Sequence, residues 1–292
     1  MAKTNLTDVN GQIKEFWAPM FMDELKEKTL LPSLVNKDYI GSIEKGGDTV
    51  YVSQINRPAG ETRTVGVDAD TFNSEKLSTQ RVSIQANKRF QASFEFDDLV
   101  ELQSQIGDQN SKIRRVLLES VEIQLNNYLY SLIAPSASSP SHVLTSVTNY
   151  NAAQLSAVRT LAAQSKWRKD GWYNLLDPVY YSDLMNATTM VSSDYGATDA
   201  PLIGGQVALK RFGFNVLEDD SAGLLTLSGS SADAGIAFHP DFMHLVMQKQ
   251  PTYKVAELTS NHQHGFVIVV DAIGGASLGN DGDNKHISII NS

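Results

Sequence analysis

The sequence predicts an α+β protein. Three observations carry that expectation: a sixteen-residue stretch, Arg81 to Phe96, that alternates apolar and polar residues; a long helical pattern after it; and a tail rich in short apolar strands. In the alternating stretch seven of the eight even positions are apolar (Val82, Ile84, Ala86, Phe90, Ala92, Phe94 and Phe96, with Lys88 the exception) and none of the odd ones is. Residues two apart in a strand share a face, so one side of this strand is built to be covered.

Size and composition bound the rest. The chain has 292 residues, a mass of 32.0 kDa and a formal charge of −9, with 41% hydrophobic and 20% charged residues, which fits one or two folded cores and not a disordered chain. No run approaches the roughly 18 apolar residues of a membrane span, and Met1 to Asp8 lack the apolar core of a signal peptide. The expectation is a chain that is cytosolic when made. Cysteine is absent, which excludes disulfides, thiolate metal sites and cysteine nucleophiles. The acidic balance argues against a chain whose main task is gripping phosphates, because that contact depends on clustered Lys and Arg.

Motifs for chemistry are thin. No phosphate-cradling loop occurs, and Gly204-Gly205 runs into Gln206-Val207-Ala208-Leu209 with neither a Lys nor a third glycine, so it reads as a turn. His262 and His264 would share a strand face and could hold one ion, with His239 and His244 upstream. The competing reading is two histidines flanking the turn Ser260 to Gly265. Asn280 to Asn284 reads as a hairpin turn, since a calcium loop would need a distal Glu. No cofactor and no metal is assigned.

In chain order, residues 11–30 space Ile13, Phe16, Trp17, Met20, Phe21, Leu25 and Leu30 as an amphipathic helix, which Leu31-Pro32 ends, with an extended stretch through Ile40. Thr49 to Ile55 reads as a strand. At about 3.3 Å per residue the stretch from Arg81 to Phe96 reaches about 50 Å, close to the whole diameter of about 50 Å expected of a compact chain this long. Either it bends sharply, or it pairs with Thr49 to Ile55 as a hairpin projecting from the body. A two-stranded ribbon is marginal alone in water, so such a hairpin implies a partner.

Asp97-Asp98 opens a helical stretch broken at Gly107, and Asn110 or Ser111 caps a helix to about Ile133. Its main stripe is Ile113, Leu117, Leu118, Val121, Leu125, Tyr128, Leu129 and Leu132, with Val116, Ile123 and Tyr130 on the far side. Apolar on two sides, it belongs between the subunit's sheet and a second surface, or is buried within a monomer. Pro135 to Pro140 is a linker. Asn151 caps a helix, Trp172 to Leu176 is a strand, and Asp177-Pro178 opens a helix through Leu184. A polar loop spans 186–200. Strands are expected at Gly205 to Leu209, Phe212 to Leu217 and Gly235 to Phe238, then a helix from Asp241 to Met247 after His239-Pro240. Tyr253 to Leu258, Phe266 to Val270 and Lys285 to Ile290 read as strands.

This order of parts resembles the major capsid protein of tailed bacteriophages, the Hong Kong 97-type fold, over nearly the whole chain. The local likeness lies in Gly204-Gly205, then Gly213-Phe214-Asn215-Val216 with an acidic loop, then Ala237-Phe238-His239-Pro240. The resemblance implies an N-terminal arm (1–45), a projecting β-hairpin or E-loop (46–93), a peripheral domain with a spine helix (94–139), an axial domain (140–240), and strands returning to the axial and peripheral sheets (241–292). It implies a structural subunit, not an enzyme, that self-assembles into pentamers and hexamers of an icosahedral head around double-stranded DNA. A separate scaffolding protein and a portal are the implied partners, since no N-terminal charged coiled coil is present. Candidate contact residues are Arg57, Arg63, Arg81, Val82, Ile84, Lys88, Arg89 and Phe90 on the hairpin, with Ile113, Leu117, Val121, Leu125 and Tyr128 on the spine helix. The apolar trio Val82, Ile84 and Phe90 would bury against a neighbour. The basic hairpin residues would pair acidic groups or simply form a solvated face. The alternatives are an encapsulin-like compartment shell, and an α/β enzyme with an unrecognised site.

Overall fold

The computed structural model describes residues 29–39, 49–55, 58–65, 74–97, 110–135, 142–187, 210–225, 233–258, 265–279 and 285–291. The expected helix over residues 11–28, the stretch 98–109, the glycine pair 204–205, the strand expected at 205–209, the histidines at 262 and 264 and the acidic turn 280–284 lie outside the described residues.

Strands β1 (Thr49–Ile55) and β2 (Thr79–Gln85) form an antiparallel ribbon in which Val50 faces Ile84 and Val52 faces Val82. The alternating stretch does not run through as one strand. It breaks at Ala86-Asn87 and continues as β3 (Lys88–Asp97) in a different sheet. Period two survives the break because both pieces need one covered face, but the two faces are covered by different parts of the chain.

The structure's long strands are elsewhere. β9 (Met243–Leu258) and β10 (Gly265–Leu278) pair antiparallel, with β3 on the other side of β10, giving a three-stranded sheet of order β3-β10-β9. The helix expected at Asp241 to Met247 is a single 3-10 turn, Pro240–Phe242, and the chain enters β9 at Met243. Met243, Leu245 and Met247 alternate into the core, which is strand logic and overrides the His-Pro start signal. Pro251 is tolerated because β9 is an edge strand and the residue sits at a bulge, where Asp271 pairs with Thr252 but Ile273 pairs with Lys249.

Helix α1 (Leu31–Leu34) is one turn, opened rather than ended by Pro32, a ring that suits a first helical position. It buries Leu31, its C-cap Val35 is buried beside it, and Asn36 then bridges to His244 along the edge of β9. Helix α2 (Asn110–Ile133), about 36 Å long, lies on the three-stranded sheet through Ile113, Leu117, Val121 and Leu129. Leu125, Tyr128, Leu118 and Leu132 pack partly buried on the same core.

The second sheet holds six strands in the order β4-β11-β8-β5-β7-β6: β4 (His142–Leu144), β5 (Trp172–Leu176), β6 (Lys210–Arg211), β7 (Phe214–Glu218), β8 (Ala234–Phe238) and β11 (His286–Ile290). The strand expected from Phe212 begins instead at Phe214, because Phe212 and Gly213 are the two positive-φ residues (50° and 90°) of the β6–β7 turn. On one face, Leu175, Ile236 and Phe238 join the core under α2. On the other, Trp172, Leu176, Phe214 and Ile287 pack under α3 (Ala152–Gln164) and α4 (Pro178–Asn186). Both helices carry the caps read from sequence. Asn151 Oδ1 accepts from the amides of Ala153 and Gln154 at 2.9 and 3.3 Å, and Asp177 Oδ1 accepts from Tyr180 N at 3.0 Å. Of the late strands, β9 and β10 serve the three-stranded sheet. β11, buried at all five residues, is an inner strand of the six-stranded one.

Candidate assembly surfaces

Among the described residues, the β1–β2 ribbon meets the body at its base. Ile84 and Ala86 pack on Val246 of β9, with Val50, Val52, Val82 and Tyr39 partly covered around them. The contact needs a glycine beneath it, because a Cβ at Gly275 of β10 would stand 1.9 Å from the Gln85 carbonyl oxygen. Away from that base the ribbon is open. Ile84 is the one buried side chain among those described in β1 and β2, while Tyr51 and Ile55 are more than half exposed, as are Val65 and Leu77 toward the tip.

The predicted hairpin residues separate accordingly. Arg57 lies outside the described residues. Arg63 pairs with Glu61 at 3.1 Å near the tip, and the Arg81 guanidinium lies 3.4 Å from the centroid of the Tyr51 ring on the exposed ribbon face. Val82 is half-buried on the opposite face. Two expectations are corrected: Ile84 is fully buried and Phe90 is 6% exposed, both against this chain's own residues, so neither offers area to a neighbour. Phe90 sits in β3 with its ring 5.6 Å from Tyr128 of α2. Lys88 is exposed, its Nζ 5.9 Å from the Tyr128 ring. Arg89 holds Asp271 across β10 at 3.0 Å, on the sheet face away from α2, and Lys249 donates to the other oxygen of the same carboxylate. The two cations hold Asp271 below the usual carboxylate range, Lys249 contributing most.

The spine residues Ile113, Leu117, Val121, Leu125 and Tyr128 all face the subunit's own sheet. The far side of α2 is divided. Tyr130 is fully buried and donates to Asp219 Oδ2 at 2.8 Å, so near its C-terminus the helix is covered by the six-stranded sheet and its loops. Val116, near the other end, is 40% exposed. Phe94 and Val255 are also exposed, and both pair with Ile268 on the α2 side of the sheet. Sequence reasoning missed Val255, because its strand partner is set by long-range pairing.

For an enzyme, the nearest approach to a catalytic pair is His142 Nε2 and Ser165 Oγ at 3.1 Å, with no carboxylate orienting His142 among the described residues. Nor do three His, Asp or Glu side chains converge as a metal site among those residues.

The arrangement of ribbon, spine helix on a three-stranded sheet, and inserted six-stranded sheet has solved counterparts. A structure titled Cyanophage Pam1 capsid asymmetric unit superposes with a TM-score of 0.76 at 12% identity, covering 99% of this chain and 98% of its own. This is the Hong Kong 97-type capsid fold. A chain from Mycobacterium phage Che8 gives a TM-score of 0.75 at 15% identity over 95% and 96% of the two chains. The acidic stable capsid structure of Helicobacter pylori bacteriophage KHP30 gives 0.71 at 13% identity over 99% and 98%. No protein-family model and no curated protein matches the sequence. A capsid fold shared at such low identity is carried by pattern: alternating strands, a two-sided helix and glycines where backbones cross.

Proposed function

We propose that this chain is the major capsid protein of a tailed double-stranded DNA bacteriophage, assembling as pentamers and hexamers into an icosahedral head. The observation that carries this reading is the match of its fold, over 99% of the chain, to chains of two phage capsid structures. The ribbon adds a physical reason: with Tyr51 and Ile55 exposed on it and Leu77 exposed just before β2, its two strands have little of the described chain around them, and a neighbouring subunit would supply the missing contact. Arg63, Arg81 and Val82 of the ribbon, and Lys88 and Arg89 on β3, would meet that neighbour, with Arg57 a further candidate from the sequence. Each exposed ion pair is worth about 0–1 kcal/mol, and repetition over a closed shell makes the sum large. The subunit would act in the virion, with a separate scaffolding protein and a portal as assembly partners.

Negative-stain microscopy of the purified protein tests this. Rings or closed shells are expected, and removing residues 57–78 is expected to stop closure while the subunit keeps its circular dichroism and melting transition. A monodisperse monomer at high concentration, unaltered by the deletion, would sink the reading. Particles carrying a protein cargo in place of a nucleic-acid absorbance would favour a compartment shell.

A further inference from the structure

The six-stranded sheet is electrically polar from end to end. At the end where β5, β7 and β11 begin and β8 finishes, a cleft of about 400 Å³ is lined by Lys166, Arg168, Lys285, His239, Ser165 and Asp241, among others. Arg168 is engaged with Asp170 at 2.6 Å, but Lys166 and Lys285 have no carboxylate within ion-pair distance among the described residues. His239 is buried, and its Nδ1 accepts the Asp241 amide hydrogen at 3.2 Å. The ring proton therefore sits on Nε2, which has no acceptor within hydrogen-bond distance among the described residues; the nearest carboxylate oxygen, on Asp170, is 3.8 Å away. The cleft thus gathers donors from Lys166, Lys285 and His239 against a single lining carboxylate, Asp241, which already accepts from Asn36 Nδ2 at 3.2 Å.

At the other end, about 17 Å along five-residue strands, the sign reverses. Glu218 and Asp220 are exposed beside the end of β7, and Asp183 and Asp233 are half-buried nearby, while described residues 174–187, 214–225 and 289–291 contain no Lys or Arg. The 3-10 turn Asp220–Leu224 fixes the acidic corner, because Asp219 spends its own carboxylate inward on Tyr130 and on the Ser221 amide at 3.0 Å, leaving Glu218 and Asp220 facing out.

We propose that the cleft at Lys166, Lys285 and His239 receives the Glu218–Asp220 corner of a second copy of this chain, so that six-stranded sheets join head to tail around a capsomer. A patch that contacts a different patch is a heterologous contact, which generates rings when the rotation closes, whereas a self-matching patch would stop at a dimer. Opposite charges at opposite ends also set the register, because a flipped neighbour would bring like charges together. This inference rests on the capsid reading, and it adds which surfaces meet.

The test uses charge reversal in the full-length chain, read by sedimentation and negative-stain microscopy. Each of K166E/K285E and E218K/D220K is expected to raise the concentration for half-assembly roughly tenfold or more, with melting unchanged, and the fourfold variant carrying both pairs is expected to recover rings. An equimolar mixture of the two double variants is expected to give six-membered rings and no five-membered ones, since alternation of two subunit types closes only on an even number. If the wild type assembles and the double variants assemble equally well, the inference falls. It also falls if the fourfold variant stays unassembled while folded, or if K166E/K285E alters only the binding of double-stranded DNA. A wild type that never assembles overturns the capsid reading itself.

Discussion

Tyr130 Oη donates a 2.8 Å hydrogen bond to Oδ2 of Asp219, joining the last turns of the spine helix to the corner of the six-stranded sheet across 89 residues of sequence. Both groups are buried, and burial is the main reason that both titrate above their ordinary ranges. The bond locks the rigid spine to the sheet that carries the proposed ring contact. Tyr130→Phe removes one partner and leaves Asp219 with the Ser221 amide, so the subunit should lose about 1–3 kcal/mol. Urea unfolding of dilute, unassembled subunits measures this, and an unchanged midpoint would refute the coupling.

Asp177 gives a pH signature. Burial pushes its carboxyl up to about 6, with Asp233 and Asp183 nearby raising it further against the backbone hydrogen bonds that lower it. The folded state therefore holds the proton more tightly than the unfolded chain, whose carboxyl titrates near 3.8. The stabilisation is complete below about pH 4 and is lost as pH rises through about 6. Asp177→Asn keeps an N-cap acceptor and cannot ionise, so its stability relative to wild type should rise between pH 4 and pH 7. Denaturation midpoints at those two values check the sign.

Asp271 behaves oppositely. Lys249 and Arg89 hold it below the unfolded carboxylate value, so its contribution is present above about pH 4 and fades as pH falls below that. Asp271→Asn should leave Lys249, its cation 28% exposed, without a counter-charge at the bulge of β9. Faster hydrogen exchange in β9 around Lys249 is the expected outcome, with α3 and α4 unaffected; uniform exchange across the chain would contradict it.

Gly275 makes a sharper case. Its missing Cβ is what lets the ribbon's Gln85-Ala86 backbone cross β10, since a methyl there would meet a carbonyl oxygen at 1.9 Å. Gly275→Ala should lift the ribbon base off Val246, lower the melting temperature, and expose the β2–β3 junction to proteolysis. Gly60, with nothing within 4 Å of an added Cβ, is the control expected to change neither.

Much of this fold was legible because its signals are local. Asn151 and Asp177 announced their helices by capping chemistry, and Trp172 to Leu176 stood out as an apolar run between turns. What stayed hidden depends on pairing at a distance. Nothing at Ala86-Asn87, neither Gly nor Pro, marks the switch from ribbon to sheet; it is set by Phe90 meeting Tyr128 and by Ile84 meeting Val246. The sixteen residues of β9 were obscured by His239-Pro240 in front and Pro251 within, although Met243, Leu245 and Met247 alternate. The charge reversal along the six-stranded sheet was likewise invisible, because Lys166, Lys285 and His239 come together only when α3, β8 and β11 are in place.

Phe90 and Arg81 separate folding from assembly. Both belong to one alternating stretch, Arg81 at an odd and Phe90 at an even position, and Phe90 is 6% exposed beneath α2 whereas Arg81 lies on the open ribbon face over Tyr51. Phe90→Ala removes a core aromatic and should cost about 3–5 kcal/mol, reducing soluble yield before any assembly step. Arg81→Ala removes an exposed cation and should change subunit stability by no more than about 0.5 kcal/mol, while slowing particle formation if the ribbon is the intersubunit arm. Paired measurements of subunit unfolding and of light scattering during assembly distinguish the two. An Arg81→Ala subunit that unfolds early, or a Phe90→Ala subunit of full stability, would mean that the division at Ala86-Asn87 between ribbon and body is drawn in the wrong place.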